Sequence, residues 1–146
     1  MFRFIDEKLD REESGPTWLK QKEIAELVMN SLHFYDNNYY ELYAYTVMSN
    51  HVHVVFKHLE VNFDVELPVT KFMQKIKSFT GKEANKAIGI SGRFWETESY
   101  DRLIRNDDEL FNVIKYVINN PVKAELVEDW KAWPYTYCKR EFIESF

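Results

Sequence analysis

The stretch AYTVMSNHVHVVFK, from Ala44 to Lys57, decides the fold, because two apolar, β-branched runs flank a Ser-Asn pair. Runs of this kind separated by two turn-forming residues are typical of antiparallel strands joined by a tight turn. We therefore predict a β-hairpin with its turn at Ser49 and Asn50. The two strands lie in YYELYAYTVMS and HVHVVFKHL.

The second of these strands carries His51 and His53 at alternate positions. Side chains two residues apart on a strand point to the same face and lie about 6 to 7 Å apart. Val52, Val54 and Phe56 take the opposite face, which is the natural core face, so we expect the histidines to be open to a ligand. Two imidazoles at this spacing can bind one metal ion. The same pattern also suits two half-exposed strand residues without a ligand.

Helical periodicity dominates the rest of the chain. Apolar residues recur every three or four positions from Leu19 to Tyr35 and in LPVTKFMQKIKSFTGKEANKAIG, which predicts two amphipathic helices. A third helix, DDELFNVIKYVINN, is predicted to begin at a cap on Asn106 or Asp107 and to stop at Pro121. The aromatic stretch RFWETESYDRLIR is predicted to be a strand. We expect FRFIDEKLDREESGPTW to form a short charged helix followed by a turn.

The predicted order is helix, strand, strand, helix, strand, helix. Helices interleaved with an antiparallel hairpin predict an α+β fold, ferredoxin-like in outline, with an antiparallel sheet and helices on one face. A length of 146 residues suits one domain. We expect a single domain over 1–146, in which 1–16 form an atypical N-terminal segment.

Composition narrows the class of protein further. The formal net charge is -5, which alone argues against a polyanionic partner. The single cysteine, Cys138, excludes a disulfide framework within the chain and a cysteine-rich zinc site. No apolar run approaches the length of a membrane span, and no signal peptide is evident at the start. We expect a globular, soluble, cytoplasmic protein that does not insert into a membrane.

The third predicted helix places one tyrosine away from its apolar stripe. At 100° per residue, Tyr116 falls opposite Leu110, Ile114 and Val117. Asn120 lies one turn beyond Tyr116 on the same face. A surface tyrosine beside a helix-ending Asn-Asn-Pro would look the same. Together with the histidine pair, however, the two residues complete a set suited to metal-assisted phosphoryl transfer.

Four segments carry a resemblance to a known family. They are VMSNHVHVVFK, KSFTGKEANKAIG, RFWETESYDRLIR and YVINNPVKAELVEDWKAWPYTYC. In order and spacing they resemble the single-tyrosine HUH transposases, specifically the REP-associated tyrosine transposase branch. The resemblance runs from about residue 15 to about residue 137, which is most of the chain.

The resemblance implies a mechanism. In that family two histidines and a polar residue one turn beyond the tyrosine bind a divalent cation, Mg²⁺ or Mn²⁺. Here these ligands are His51, His53 and Asn120, and Tyr116 is the nucleophile. The implied reaction cleaves single-stranded or hairpin DNA through a 5′-phosphotyrosine intermediate and then rejoins it. The resemblance is also compatible with a homodimer.

A DNA substrate must be reconciled with the negative net charge. Lysines crowd the second predicted helix against one acid, Glu83, and arginines follow on the next strand, which indicates a local basic surface. We predict a DNA-binding set of eight residues: Lys71, Lys75, Lys77, Lys82, Lys86, Arg93, Arg102 and Arg105. For any one of these lysines, simple solvation of a helix is an equal alternative.

The chain also departs from the family pattern. Family members begin with a strand, and only FRFI, Phe2 to Ile5, could serve here, so we expect the first strand to be missing or shortened. Ser49 stands where proline is usual and Glu125 where glycine is usual. Two alternatives therefore stay open beside an active transposase. One is a truncated or catalytically inactive nucleic-acid-binding relative, and the other is an unrelated metal-dependent hydrolase.

Overall fold

The computed structural model describes residues 2–9, 17–59, 69–97, 99–144 and 146. In these residues the strands are β1 (Phe2–Lys8), β2 (Tyr40–Val47), β3 (His51–His58), β4 (Tyr100–Ile104) and β5 (Thr136–Cys138). The helices are α1 (Lys22–Phe34), α2 (Val69–Ile88), α3 (Asp107–Lys123) and α4 (Arg140–Ile143), with short 3-10 turns at Trp18–Lys20 and Trp130–Ala132.

The five strands form one antiparallel sheet in the order β4-β1-β3-β2-β5. β1 and β3 are central, α1 connects β1 to β2, and α2 connects β3 to β4. This is the split β-α-β arrangement of ferredoxin-like folds, so the predicted α+β class is confirmed. β5 extends the sheet beyond β2 and is a strand that the sequence analysis did not assign.

β1 corrects the prediction that the first strand is missing or shortened. Phe2–Lys8 is seven residues long and pairs with both β3 and β4. The prediction failed because Asp6 and Glu7 look like the solvated surface of a charged helix. Glu7 is in fact buried, and its carboxylate lies 3.0 Å from the ammonium of Lys77. The predicted turn at Ser14-Gly15-Pro16 lies outside the described residues.

Helices cover both faces of the sheet, whereas the sequence predicted helices on one face. α1 and α2 pack on the face that carries Val52, Val54 and Phe56. α3 and α4 pack on the other face, against Phe4 and Val55. Periodicity identifies the apolar stripe of a helix but does not say which face of a sheet it covers. The histidine face of β3 therefore lies under α3.

Two predicted boundaries also change. The predicted strand RFWETESYDRLIR is a strand only at Tyr100–Ile104. Asn106 caps α3 as expected, with its side-chain oxygen accepting from the backbone N–H of Glu109. Pro121 does not stop α3, which continues to Lys123, because a proline in the last turn removes only one hydrogen bond.

A Schellman turn ends α3 instead. The N–H of Leu126 donates to the carbonyl of Pro121 over 3.0 Å, and that of Glu125 to Val122 over 2.9 Å. Glu125 takes a φ of 62°, a left-handed conformation that favours glycine. The departure from glycine noted in the sequence therefore falls at a position with a backbone reason for glycine.

The C-terminal segment after α3 packs on the sheet through β5 and Trp133. β5 pairs with β2, and the indole N–H of Trp133 donates to the carbonyl of Val47 over 3.0 Å. Trp130 packs against the core under α3. Among the described residues, the helices are too short or too polar to cross a lipid bilayer.

Candidate active site

β3 holds the two histidines on the face that α3 covers. Their rings are 4.7 Å apart between centroids. Val52, Val54 and Phe56 anchor the strand in the opposite core, as the alternation predicted. His53 is only 5% exposed and His51 is partly exposed, so the pair is less open to solvent than the sequence suggested.

α3 brings the tyrosine and the asparagine to the histidines. α3 packs on the sheet through a stripe of buried residues. Tyr116 lies beside this stripe and is 49% exposed. Its ring lies 5.9 Å from the ring of His53, between centroids. The side-chain nitrogen of Asn120 lies 3.4 Å from Nε2 of His53. One chain thus gathers His51, His53, Tyr116 and Asn120, the four residues that the sequence singled out.

β1 contributes two residues that the sequence analysis missed. The ring of Phe4 stacks on His53 at 5.4 Å and meets Tyr116 edge-on at 6.4 Å. Asp6 is the cross-strand partner of His53, and its Oδ1 lies 3.9 Å from Nδ1 of that histidine. The alternation of FRFID is the signal that could have identified both residues, because it places Phe4 and Asp6 on one face.

Two further polar residues, Asn50 and Lys123, lie next to the site residues. Oδ1 of Asn50 lies 2.7 Å from Nδ1 of His51. Since an amide oxygen only accepts, this contact places a proton on Nδ1 and leaves Nε2 with its lone pair. The ammonium of Lys123 lies 6.0 Å from the centre of the Tyr116 ring. A positive charge therefore lies beside the phenol, on a residue about one turn beyond Asn120 that the sequence analysis did not consider.

Burial sets the charge of the histidines. It lowers the pKa of His53 to about 3, and it also lowers the pKa of His51. Burial raises the pKa of the Asp6 carboxyl, although the neighbouring His51 opposes that shift. Both imidazoles are consequently neutral near pH 7 and keep a lone pair that can bind a cation.

The donor atoms fit a divalent cation in type but are sparse. Across the described parts of the chain, no three His, Cys, Asp or Glu side chains group into a metal site. Two neutral imidazoles and the amide of Asn120 remain, and a half-turn of that amide would present its oxygen. Two nitrogens and one oxygen suit a catalytic site that keeps positions for water and substrate, and they suit Mn²⁺ better than Mg²⁺.

The predicted basic residues do not all lie near this site. α2, with its lysines, packs on the opposite face of the sheet from α3. Lys71, Lys75, Lys82 and Lys86 are exposed there. Lys77 differs, because its ammonium pairs with buried Glu7 and donates to the carbonyl of Glu96 over 2.7 Å.

The arginines divide between the two sides. Lys82 and Arg93 line an open cleft of about 540 Å³ between α2 and residues 92–97. Arg102 lies on the histidine side of β4, where its guanidinium is 3.3 Å from the carboxylate of Glu109. Arg105 is exposed just after β4.

The aromatic residues of the predicted strand RFWETESYDRLIR differ in their exposure. Tyr100 is 58% exposed and contacts Phe4 beside the site, whereas Phe94 and Trp95 are buried in the opposite core. Tyr100 therefore presents a stacking face to solvent, and the other two rings do not.

Comparisons with known proteins agree with this architecture. Residues 17–120 match the family model for transposases described as Transposase IS200 like, a stretch that includes both histidines, Tyr116 and Asn120. The fold and this match define the class of the protein as a transposase. More particularly, the chain belongs to the IS200-like transposase family.

Two relatives fall in the branch that the sequence resemblance indicated, which confirms that prediction. The chain is 26% identical over 107 residues to a Haemophilus influenzae protein classed as a REP-associated tyrosine transposase. The match takes in 70% of this chain and 61% of that relative. A solved REP-associated tyrosine transposase, bound to a REP hairpin, superposes with a TM-score of 0.66 at 19% identity. That superposition covers 92% of this chain and 74% of the other, and it shows the fold.

Proposed function

We propose that this transposase cleaves and rejoins single-stranded DNA, with Tyr116 as the nucleophile. The observation that carries the proposal is the grouping of Tyr116, His53 and Asn120 within one chain, at 5.9 Å between the two rings and 3.4 Å between the amide and the imidazole. The half-exposed phenol of Tyr116 can reach a DNA backbone, while His53 beneath it is buried and His51 is partly exposed.

The reaction is a phosphoryl transfer in two steps. The phenol of Tyr116 gives up its proton and its oxygen attacks a backbone phosphate, so that a tyrosine O–P bond forms and the bond from phosphorus to the 3′ oxygen breaks. The leaving oxygen takes a proton and becomes a free 3′-hydroxyl, while the 5′ end stays on the tyrosine. Attack by a second 3′-hydroxyl reverses the exchange and joins two strands. The bond energy is conserved, and no other energy source is needed.

The residues His51, His53 and Asn120 would hold a divalent cation, Mg²⁺ or Mn²⁺. A bound cation neutralises charge on the scissile phosphate and orients it for in-line attack. Lys123 adds a positive charge beside the Tyr116 ring, where the phosphate must arrive. Phe4 keeps water from the inner side of His53 and holds the imidazole ring by stacking.

We propose a hairpin or single-stranded DNA as the substrate, as the name of the solved relative bound to a REP hairpin suggests. Phosphate contacts fall to the exposed lysines of α2 and to the arginines around β4. The exposed ring of Tyr100 offers a face on which a base can stack next to the nucleophile. A strand that serves both surfaces would pass around the β4 edge of the sheet.

The test is covalent capture of DNA. The protein is incubated with Mn²⁺ and a labelled library of single-stranded and hairpin oligonucleotides, and protein–DNA adducts that survive denaturing electrophoresis are counted. We expect an adduct with the wild type and with Tyr135→Phe, a partly buried control tyrosine, but not with Tyr116→Phe. DNA binding without an adduct in the wild type would favour an inactive binding relative. Turnover by Tyr116→Phe would favour a metal-dependent hydrolase.

A further inference from the structure

Asp6, which is partly buried, and His53, which is buried, form an unusual pair. They face each other across β1 and β3, with Oδ1 of Asp6 3.9 Å from Nδ1 of His53. Their side chains are 16% and 6% exposed. Neither of these two atoms has a hydrogen-bond partner among the residues that the structure describes. Buried polar atoms are nearly always paired, so this contact needs an explanation.

The two sides of the His53 ring meet different chemistry. Nδ1 faces the carboxylate of Asp6, which accepts hydrogen bonds, and Nε2 faces the side-chain nitrogen of Asn120, which donates them. Both neighbours therefore favour the neutral imidazole with its proton on Nδ1. Closing the Asp6 contact by about 1 Å would bring it into hydrogen-bond range.

We propose that Asp6 is a positioning residue, whose carboxylate holds the Nδ1 proton of His53 and so keeps the Nε2 lone pair directed toward Tyr116 and Asn120. Histidines that bind metals commonly donate their second N–H to a carboxylate or carbonyl group, which fixes the ring and its tautomer. Asn50 serves His51 in the same way, at 2.7 Å. Each histidine of the pair then has its own partner for Nδ1.

Two other roles for Asp6 make different predictions. As a direct cation ligand, its oxygen would have to reach the Nε2 side of His53, but it lies on the Nδ1 side of the ring. As a purely structural residue, it would affect unfolding without affecting the tautomer of His53. The proposal depends on the proposed function at one point only, namely that His53 binds the cation.

The first experiment measures the tautomer directly, without metal or DNA. Long-range proton–nitrogen NMR spectra of protein with ¹⁵N-labelled histidine distinguish a proton on Nδ1 from a proton on Nε2. We expect His53 to carry it on Nδ1 in the wild type. In Asp6→Ala, where only Asn120 still favours that tautomer, we expect the fraction of the Nδ1 form to fall. Asp6→Leu, which is of similar size but has no acceptor for the Nδ1 proton, serves if Asp6→Ala does not fold.

The second experiment measures Mn²⁺ binding by calorimetry. We expect the affinity of Asp6→Ala or Asp6→Leu to fall by about 10- to 100-fold. The matched control is Glu7→Gln, because Glu7 is a buried carboxylate on the same strand that faces the opposite core. That variant should unfold more easily but keep both the Mn²⁺ affinity and the His53 tautomer.

Several results would overturn the proposal. One is a wild-type His53 with its proton on Nε2. Another is an Asp6→Ala or Asp6→Leu variant in which the fraction of the Nδ1 tautomer is the same as in the wild type. That result would overturn the proposal whatever the Mn²⁺ affinity of the variant. Because the tautomer is read without DNA, this outcome is independent of whether Tyr116 transfers strands.

Discussion

The imidazole ring of His53 lies 5.9 Å from the phenol ring of Tyr116, between centroids, and both belong to the same chain. β1 lies beneath these two rings, and its residue Phe4 contacts both of them. The strand that the sequence analysis expected to be missing or shortened therefore forms the floor of the candidate site. The single chain also supplies Asn120 to His53. The site should accordingly work in cis, with the tyrosine serving the histidines of its own subunit.

Mixing two inactive variants tests the arrangement in cis. Tyr116→Phe and His53→Ala are co-expressed with different tags, and material that carries both tags is assayed for covalent DNA adducts. We expect no adduct, since each subunit lacks one half of its own site. If no mixed dimer can be isolated, the protein works as a monomer and the arrangement is in cis. Adduct formation in the mixed species would instead show that one subunit's tyrosine serves another's histidines.

The exposed lysines of α2 should bind phosphates without regard to sequence. In Lys82→Ala/Lys86→Ala we expect the salt slope of DNA binding to fall by about 1.4 to 1.8, because each phosphate contact contributes about 0.7 on a single strand and about 0.9 on a duplex stem. Fluorescence anisotropy with two unrelated hairpins across a range of salt concentrations measures this slope. An unchanged slope would remove these two lysines from the DNA-binding surface.

Lys77 should behave differently from its neighbours, because its ammonium balances the buried carboxylate of Glu7 at 3.0 Å. In Lys77→Met we expect the free energy of unfolding to fall by about 3 kcal/mol, since one charge is left buried without its partner. Urea unfolding measures the loss. Adding Glu7→Gln should recover part of it. Full stability in Lys77→Met together with weaker DNA binding would return Lys77 to the predicted DNA-binding set.

Lys123 should contribute to the reaction more than to the fold. Its ammonium lies 6.0 Å from the Tyr116 ring, and the side chain is exposed. We expect Lys123→Gln to slow adduct formation by about 10-fold, the equivalent of about 1.4 kcal/mol in the barrier, with little change in melting temperature. Lys115→Gln, on an exposed position of the same helix, is the control. Equal rates for Lys123→Gln and Lys115→Gln would exclude a role for the Lys123 charge.

Glu125 should limit the stability of the α3 terminus. A residue with a side chain pays about 1 kcal/mol for the left-handed conformation, which Glu125 adopts at a φ of 62°. We expect Glu125→Gly to raise the melting temperature by about 3 °C. Glu125→Ala removes the same charge but keeps the backbone cost, and it should bring no gain. A similar rise in both variants would trace the effect to charge rather than to backbone.

From the sequence we could predict which site residues share a face only within one strand or one helix, where the local periodicity determines it. His51 and His53 share a face because a strand alternates, and Tyr116 and Asn120 share one because a helix repeats. The ferredoxin-like class followed from the order of elements around the hairpin. These inferences need no knowledge of which distant segments pair.

What the sequence did not reveal depends on pairing between distant segments. Asp6 meets His53 only because β1 lies beside β3, and Lys77 is neutralised only because Glu7 points into the core under α2. Both acids occur in a run of charges that looks solvated in isolation. The position of α3 over the histidine face likewise depends on how helices divide between the two faces of the sheet.

The central claim is that Tyr116 becomes covalently linked to the 5′ end of cleaved DNA. The most direct measurement is mass spectrometry of peptides from the protein–DNA adduct after nuclease digestion, combined with oligonucleotides labelled at either end. We predict a nucleotide phosphate on the peptide that contains Tyr116, a 3′ label that stays with the protein, and a 5′-labelled fragment released with a free 3′-hydroxyl. A phosphate on any other residue, or a 5′ label retained by the protein, would contradict the account.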